Sequence, residues 1–290
     1  MDTVKKRKKQ SQWKDTWKRF CKNKAALCGL VVIIILVFSA IFADFIAPEG
    51  YDEPNLDRRS QTPSMQNIMG TDNLGRDQFS RIVFGTRTSL QIGFIAVSIS
   101  LFLGSTIGAI AGFYGGVMDN LLMRLIDVLL AIPSIILAIA VASALGPGIV
   151  NLMIAVGIGA IPGYARLVRG AVLSIREQEF IEAAKAIGAN DFRLIIRHLI
   201  PNCMAPIIVQ ATLGLAWAIL NAAGLSFIGL GIMPPTPEWG SMLSVGRRFI
   251  LVDGHWHLSI FPGLAIVIIV LAFNLVGDGL RDALDPKLKT

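Results

Sequence analysis

The sequence has little charge and few of the residue types that carry enzyme chemistry. Only 16% of its 290 residues are charged, and it contains three histidines and three cysteines. No G-x-x-x-x-G-K-[ST], H-E-x-x-H or G-x-S-x-G motif occurs, which excludes a P-loop, a zinc-protease signature and a serine-hydrolase elbow. Cys21, Cys28 and Cys203 are odd in number and far apart, so they predict neither a disulfide framework nor a zinc cluster. We therefore expect no catalytic residue, no metal site and no cofactor on this chain.

Apolar residues are abundant. They make up 53% of the sequence, and the mean hydropathy is +0.62, values typical of a polytopic membrane protein. Runs of about 20 residues suffice to cross the ~30 Å hydrocarbon layer as helices. Six such runs predict an all-α membrane protein with six transmembrane helices, at about 25–47, 89–113, 121–144, 149–172, 204–232 and 258–276.

The basic residues are concentrated at the N-terminus. Ten of the 27 lysines and arginines fall within residues 1–24, against two acids, although the whole chain carries +7. Such a tail predicts a cytoplasmic, lipid-facing N-terminus and not a nucleic-acid-binding face. With six spans both termini lie in the cytoplasm. The predicted order is a tail 1–24, a first span 25–47, an extracytoplasmic segment 48–88, a core 89–280 and a tail 281–290.

Residues 182–201 form a polar, amphipathic island between apolar spans. Gly188 separates its two halves, and Pro201 is predicted to stop the second helix. In that half an apolar stripe at i, i+3, i+4 and i+7 lies opposite Arg193 and Arg197. The stripe consists of Phe192, Ile195, Ile196 and Leu199. Two interpretations stay open: a docking surface for another protein, or a loop whose charges only hold the topology.

The predicted spans contain four further features. Gly104, Gly108 and Gly112 repeat every four residues in the second span and predict a close helix contact. Arg124 and Asp127 lie three residues apart in the third, where ionisable groups are costly, and their spacing favours a mutual ion pair. Pro133 predicts a kink in the third span. The fourth span carries helix-breaking residues that predict a bent or locally unwound middle, namely Gly157, Gly159, Pro162 and Gly163.

The external loops contain two candidate sites. In 48–88, two acids beside two arginines favour a salt-bridged turn, with direct substrate contact as the alternative. The motif reads Gly70-Thr71-Asp72, then Gly75-Arg76-Asp77 and Ser80-Arg81. Near the sixth span, His255 and His257 flank Trp256, with Asp253 close by. Two imidazoles make only a weak metal site, and an interfacial aromatic anchor is the simpler interpretation.

Several motifs in this order resemble the membrane subunits of ATP-binding-cassette (ABC) importers. Glu182-Ala183-Ala184, followed by Gly188, His198 and Pro201, is similar to their EAA loop, here 177–201. Over nearly the whole chain the match is to the dipeptide, oligopeptide and nickel permeases, specifically the C-type permease of each pair. The external motif above continues the likeness, together with Gly85, Arg87, Ser89-Leu90, Trp239-Gly240, Met242-Leu243, Asn274, Gly277-Asp278, Leu280-Arg281-Asp282 and Asp285-Pro286. Asn67-Ile68-Met69 departs slightly from the family pattern.

The resemblance implies a type I ABC importer fold in a prokaryotic cell membrane. It also implies a homologous second permease, two ATPase subunits that hold ATP and magnesium, and an extracytoplasmic peptide-binding protein. ATPase coupling would involve Glu182, Ala183, Ala184, Gly188, Arg193, Arg197, His198 and Pro201. The expected function is import of dipeptides or oligopeptides. The alternatives are a nickel or metallophore permease, or a membrane scaffold without transport.

Overall fold

The computed structural model describes residues 12–250 and 255–285, so Asp253 and the outer parts of both tails lie outside the described residues. Within these ranges the chain is helical, with a single isolated bridge between Thr71 and Asp77. A short 3₁₀ turn covers Leu56–Arg58, and a π-helical stretch covers Leu194–Leu199. The helices are α1 (Gln12–Phe20), α2 (Lys24–Ile41), α3 (Ala43–Ile46), α4 (Gln78–Tyr114), α5 (Gly116–Leu130), α6 (Ser134–Leu145), α7 (Ile149–Arg176), α8 (Glu179–Ala186), α9 (Asp191–Arg193), α10 (Ile200–Asn202), α11 (Met204–Phe227), α12 (Trp239–Gly246) and α13 (His257–Leu284).

The described residues contain up to six membrane spans. Helices α2, α4, α7, α11 and α13 are each long and apolar enough to cross a bilayer, and α5 with α6 forms a broken sixth span bent by 86°. The break lies at Pro133, whose ring nitrogen has no N–H to donate to the preceding turn. The predicted six-span, all-α architecture and the kink are thus confirmed. The orientation of the termini stays a prediction.

Helix α4 is longer than the sequence predicts. It has 37 residues, about 55 Å at 1.5 Å per residue, against ~30 Å of hydrocarbon. Its first turn begins at Gln78, where the Asp77 carboxylate accepts a 2.7 Å hydrogen bond from the Ser80 N–H. The first turns of α4 bury polar side chains such as Arg81. This end of the helix therefore belongs to the polar segment that precedes it.

The predicted glycine ridge forms a close contact between two helices of the bundle. A Cβ on Gly104 would lie 2.6 Å from the Tyr164 Cβ, and one on Gly112 would lie 3.0 Å from the Val172 Cβ. Both partners are on α7, so α4 and α7 pack with their backbones close together. The prediction of a close approach is confirmed.

Helix α7 is not unwound in its middle. It continues through Pro162, which is buried, to Arg176. Gly157 lies on the face packed against α4, where a Cβ would be 3.0 Å from the Ile99 Cβ. Glycine at this position allows close packing and does not open the helix. The prediction of local unwinding is wrong.

Candidate functional site

The segment between α7 and α11 is a helical hairpin attached to the end of the bundle. Ile181 and Leu199 are fully buried in one cluster with Val172 of α7 and Ala109 of α4. Lys185 also places its ammonium 5.6 Å from the centre of the Phe113 ring at the end of α4. The hairpin is therefore held firmly against the ends of α4 and α7.

Gly188 forms the bend of the hairpin. Its φ is +83°, and its N–H donates to the Lys185 carbonyl at 2.9 Å while the Ala189 N–H donates to Ala184 at 3.1 Å. This left-handed ending suits glycine because it has no Cβ. The Asn190 side chain then accepts a 2.8 Å hydrogen bond from the Arg193 N–H and starts the second helix. A short, defined turn thus joins α8 to α9.

The second half of the hairpin is helical through Pro201. Helices α9 and α10 are joined by the π-helical stretch, in which the Ile200 N–H bonds to the Ile195 carbonyl. The wider π turn accommodates a proline that cannot donate to the fourth preceding carbonyl. The prediction that Pro201 stops the helix is wrong, since helical structure continues to Asn202.

The predicted apolar stripe divides between the core and the solvent. Leu199 is buried and Ile195 half-buried, but Phe192 is 75% exposed and Ile196 49% exposed. The stripe is not one buried face, because the π turn shifts the register between its two ends. Ile187, beside the bend, is 86% exposed. We call the three exposed side chains Ile187, Phe192 and Ile196 the apolar tip.

Most of the predicted coupling residues are exposed on the hairpin. Glu182, Ala183, Gly188, Arg193, Arg197 and Pro201 are exposed, His198 is half-buried, and Ala184 is buried against the bundle. The hairpin therefore exposes both apolar and basic side chains within one short segment. A partner protein with an apolar groove and acidic rim would match this chemistry.

The predicted pair of Arg124 with Asp127 is not formed. Asp127 Oδ1 accepts a 2.7 Å hydrogen bond from Nη2 of Arg166 on α7, and Arg124 lies exposed. Arg166 reaches across from a neighbouring helix, which no spacing within the third span can reveal. A second pair lies nearer the Gly116 end of α5, where Arg169 donates to Asp119 through Nε at 2.6 Å and Nη2 at 2.7 Å. Together the pairs link α5 to α7.

One side of the bundle is open and partly polar. A cavity of about 240 Å³ lies between α4, α5, α6, α7 and α11, with Tyr164, Gln210, Trp217 and Asn221 in its wall. A second cavity of about 440 Å³ shares Gln210 and extends to Arg281 of α13. We call this side, from Asn221 to Arg281, the open face. Sequence analysis missed it, because single polar residues in apolar helices give no periodic signal.

The external motif folds into a buried polar turn. The Asp72 carboxylate accepts from Nε of Arg76 at 2.7 Å and from the Leu74 N–H at 2.8 Å, and Arg81 lies 3.5 Å away. Arg81 donates to the Tyr51 carbonyl at 2.7 Å. The predicted salt-bridged turn is therefore confirmed. Gly70, Thr71, Asp72, Gly75, Arg76 and Asp77 are all buried, so the motif stabilises the external segment.

Helix α12 packs against α11 and α13 and was absent from the sequence prediction. Glu238 is buried and accepts from the Gly240 and Ser241 N–H groups at 2.8 Å each, while burial raises the pKa of its carboxyl. Trp239 is fully buried, and its Nε1 donates to the Ile82 carbonyl at 3.2 Å. The Glu-Trp-Gly sequence after three prolines is the signal of a capped helix start that sequence analysis passed over.

The two external histidines have different environments. His257 is fully buried with Nε2 3.2 Å from the Thr71 carbonyl, and His255 is half-buried. Within residues 12–250 and 255–285, no three His, Cys, Asp or Glu side chains form a group that could hold a metal ion. Thr71 and His257 instead join the external segment to the start of α13.

Two family models match this sequence. Residues 104–290 match a model described as "Binding-protein-dependent transport system inner membrane component". Residues 11–63 match a model described as "N-terminal TM domain of oligopeptide transport permease C". The first model covers the hairpin and most of the open face, and the second covers α1, α2 and the beginning of the external segment.

Curated relatives match along almost their full length. A dipeptide transport system permease protein of Alkalihalophilus pseudofirmus is 51% identical over 97% of this chain and 91% of its own length. A di/tripeptide permease of Pseudomonas aeruginosa is 47% identical over 96% and 93%, respectively. A glutathione permease of Pectobacterium atrosepticum is 44% identical over 97% and 93%.

A solved structure has the same fold. A chain of the MetNI methionine ABC transporter, in an inward-facing conformation, superposes with a TM-score of 0.56 at 20% identity, over 71% of this chain and 96% of that one. This likeness shows the transmembrane fold of an ABC importer, as predicted. Family and fold together show that the chain is a multi-pass protein of a prokaryotic inner membrane. It is a permease subunit that works with ATPase, substrate-binding and second permease partners. The chain thus belongs to the family of binding-protein-dependent transport system inner membrane components.

Proposed function

We propose that this chain is the C-type permease of an ABC importer for dipeptides or oligopeptides. It forms half of the translocation path, and a homologous second permease forms the other half. Two ATPase subunits dock on the hairpins of the two permeases, and an extracytoplasmic binding protein delivers the peptide. The names of the relatives support a peptide substrate, since they transport dipeptides, di/tripeptides and glutathione.

The coupling role is supported by the apolar tip, which lies on a hairpin whose other side is packed against the bundle. Exposed apolar side chains at the end of a hairpin are costly in water and are typical of an interaction surface. The buried side of the same hairpin is fixed to α4 and α7 through Ile181 and Leu199. A force applied at the tip is therefore transmitted to the two helices that border the open face.

The mechanism follows from this connection. ATP binding brings the two ATPases together, and each ATPase moves the hairpin that it holds. Because the hairpin moves with α4 and α7, the open face of this permease rotates relative to that of its partner. The path then alternates between outward and inward access. We expect the first half, from Glu182 to Ile187, to enter the ATPase groove, with Gly188 at the bend.

Uptake by the reconstituted complex tests this proposal. The double variant Ile187→Ala and Phe192→Ala removes most of the apolar tip without touching buried residues. ATP-dependent uptake of a labelled dipeptide into liposomes should fall at least tenfold, and the ATPases should separate from the permeases during purification.

The matched control removes two other exposed apolar side chains, from the first span region, with Phe38→Ala and Phe45→Ala. This variant should retain uptake and the bound ATPases. Unchanged uptake in the hairpin variant would show that the ATPases couple elsewhere. Failure of the wild-type complex to accumulate any peptide would favour a different substrate, nickel included, or a scaffold without transport.

A further inference from the structure

Asp127 and Arg166 form a half-exposed ion pair between two apolar helices that are candidate membrane spans. The side chains are 50% and 58% exposed although Nη2 and Oδ1 are only 2.7 Å apart. At 1.5 Å per residue, Asp127 lies about 16 Å along α5 from Gly116, and Arg166 about 15 Å along α7 from Arg176. Asp127 thus lies in the last turn of α5, near its end at Leu130, and Arg166 lies well inside α7.

Such a pair requires a polar environment. Charged side chains within membrane segments are expensive unless they face the bundle interior or a water-filled cavity. Leu130, one turn after Asp127, and Gly163, one turn before Arg166, both line the 240 Å³ cavity of the open face. The pair therefore lies one helical turn from residues of the cavity wall on both of its helices.

The bonding of this pair leaves atoms available to a ligand. Within the described part of the chain, Arg166 and Asp127 share a single hydrogen bond, through one guanidinium nitrogen and one carboxylate oxygen. The neighbouring pair, Asp119 with Arg169, uses both carboxylate oxygens, and its Asp119 side chain is only 13% exposed. A bidentate, largely buried pair is a structural clamp. The monodentate pair instead presents a free carboxylate edge and a free guanidinium edge side by side.

We propose that Asp127 and Arg166 form a contact site for the two charged ends of a zwitterionic peptide in transit. The Asp127 carboxylate accepts hydrogen bonds from the peptide α-ammonium group, and the Arg166 guanidinium donates to the α-carboxylate. The apolar wall of the cavity, including Trp217, accommodates side chains without selecting among them. This site deepens the proposed function and rests on it.

Equilibrium binding distinguishes this site from the selectivity of the binding protein. The detergent-solubilised permease and ATPase complex, without the binding protein, is dialysed against radiolabelled dialanine, N-acetyl-dialanine or dialanine amide. The wild type should bind free dialanine about tenfold more tightly than either blocked peptide, as expected for the loss of one charge-assisted contact.

Two single variants test which residue binds which end of the peptide. Asp127→Asn should remove the preference for a free α-amino group and keep the preference for a free α-carboxylate, and Arg166→Gln should do the reverse. Asp119→Asn is the matched control, since it breaks a pair between the same two helices, and it should retain both preferences. A double variant, Asp127→Arg with Arg166→Asp, restores an ion pair of inverted order and should not restore the affinity.

Any of four results would overturn the site. The wild type could bind free and blocked dialanine equally or bind neither, or the single variants could behave like Asp119→Asn. Full recovery of affinity by the inverted pair would show that the pair only links α5 to α7. Uptake by the complete wild-type complex tests the proposed function separately, so a transporter that imports peptide without these preferences would reject this site alone.

Discussion

The carboxylate of Asp72 lies 2.7 Å from Nε of Arg76, and both side chains are almost completely buried. The same carboxylate also accepts from the backbone N–H groups of Leu74 and Arg76. A buried ion pair does not by itself add much stability, because its desolvation offsets its attraction. Removing only one member of the pair is strongly destabilising, because the charge that remains is then buried without its partner.

Asp72→Asn should therefore destabilise the external segment strongly. The change leaves Arg76 and Arg81 buried with one carboxylate fewer, and the cost is about 3–5 kcal/mol of unfolding free energy. Asp44→Asn is the control, because its pair with Arg87 is largely exposed and is worth about 0–1 kcal/mol. Denaturant unfolding of the solubilised chain measures both. Equally small losses of unfolding free energy in the two variants would show that the Asp72 network is not required for stability.

Gly108→Val should disrupt the contact between α4 and α7. A Cβ at this position would lie 2.9 Å from the Arg169 nitrogen and closer still to the Ala165 carbonyl, so both backbones must separate. The expected loss is about 1–3 kcal/mol or more, as for overpacking in a core, with a lower thermal midpoint. Gly170→Val on α7 meets no atom within 4 Å and should have little effect. Similar midpoints for the two variants would contradict the close packing.

The glycine ridge and the salt-bridged external turn were largely predictable from the sequence. The glycine ridge has a fixed period on one helix, and the acids and arginines of the external turn are close in sequence, so local rules suffice. The apolar runs likewise gave the six spans, because each must satisfy its own backbone in lipid.

Other features depend on tertiary structure. Asp127 has a candidate partner at i−3, but Arg166 on another helix forms the ion pair. The π turn before Pro201 relieves a clash that a simple helix rule treats as a stop. Helix α12 is short, and its position depends on the burial of Trp239 against Ile82, more than a hundred residues earlier. No local pattern contains that information.

Cys203 should react slowly with thiol reagents at neutral pH. It is fully buried at the base of the hairpin, and burial raises the pKa of its thiol to about 11. Because the reactive form is the thiolate, the reactive fraction at pH 8 is about one in a thousand and grows as the pH rises towards 11. Cys21, which is half-buried, should label first with a maleimide in a Cys28→Ala background. Rapid labelling of Cys203 at pH 8 would mean that the hairpin base opens.

Gly188→Val should uncouple ATP hydrolysis from uptake. The φ of +83° is strained for a β-branched residue, whereas no atom lies within 4 Å of an added Cβ, so the effect comes from the backbone alone. A left-handed conformation costs an L-residue about 1–2 kcal/mol, and valine relieves it by changing the angle between α8 and α9. Gly188→Asn is the matched control because asparagine tolerates this conformation. The ratio of peptide imported to ATP hydrolysed in proteoliposomes should fall for valine and stay near the wild-type value for asparagine. If both variants keep the wild-type ratio, the bend at Gly188 does not set the position of the hairpin in the ATPase groove.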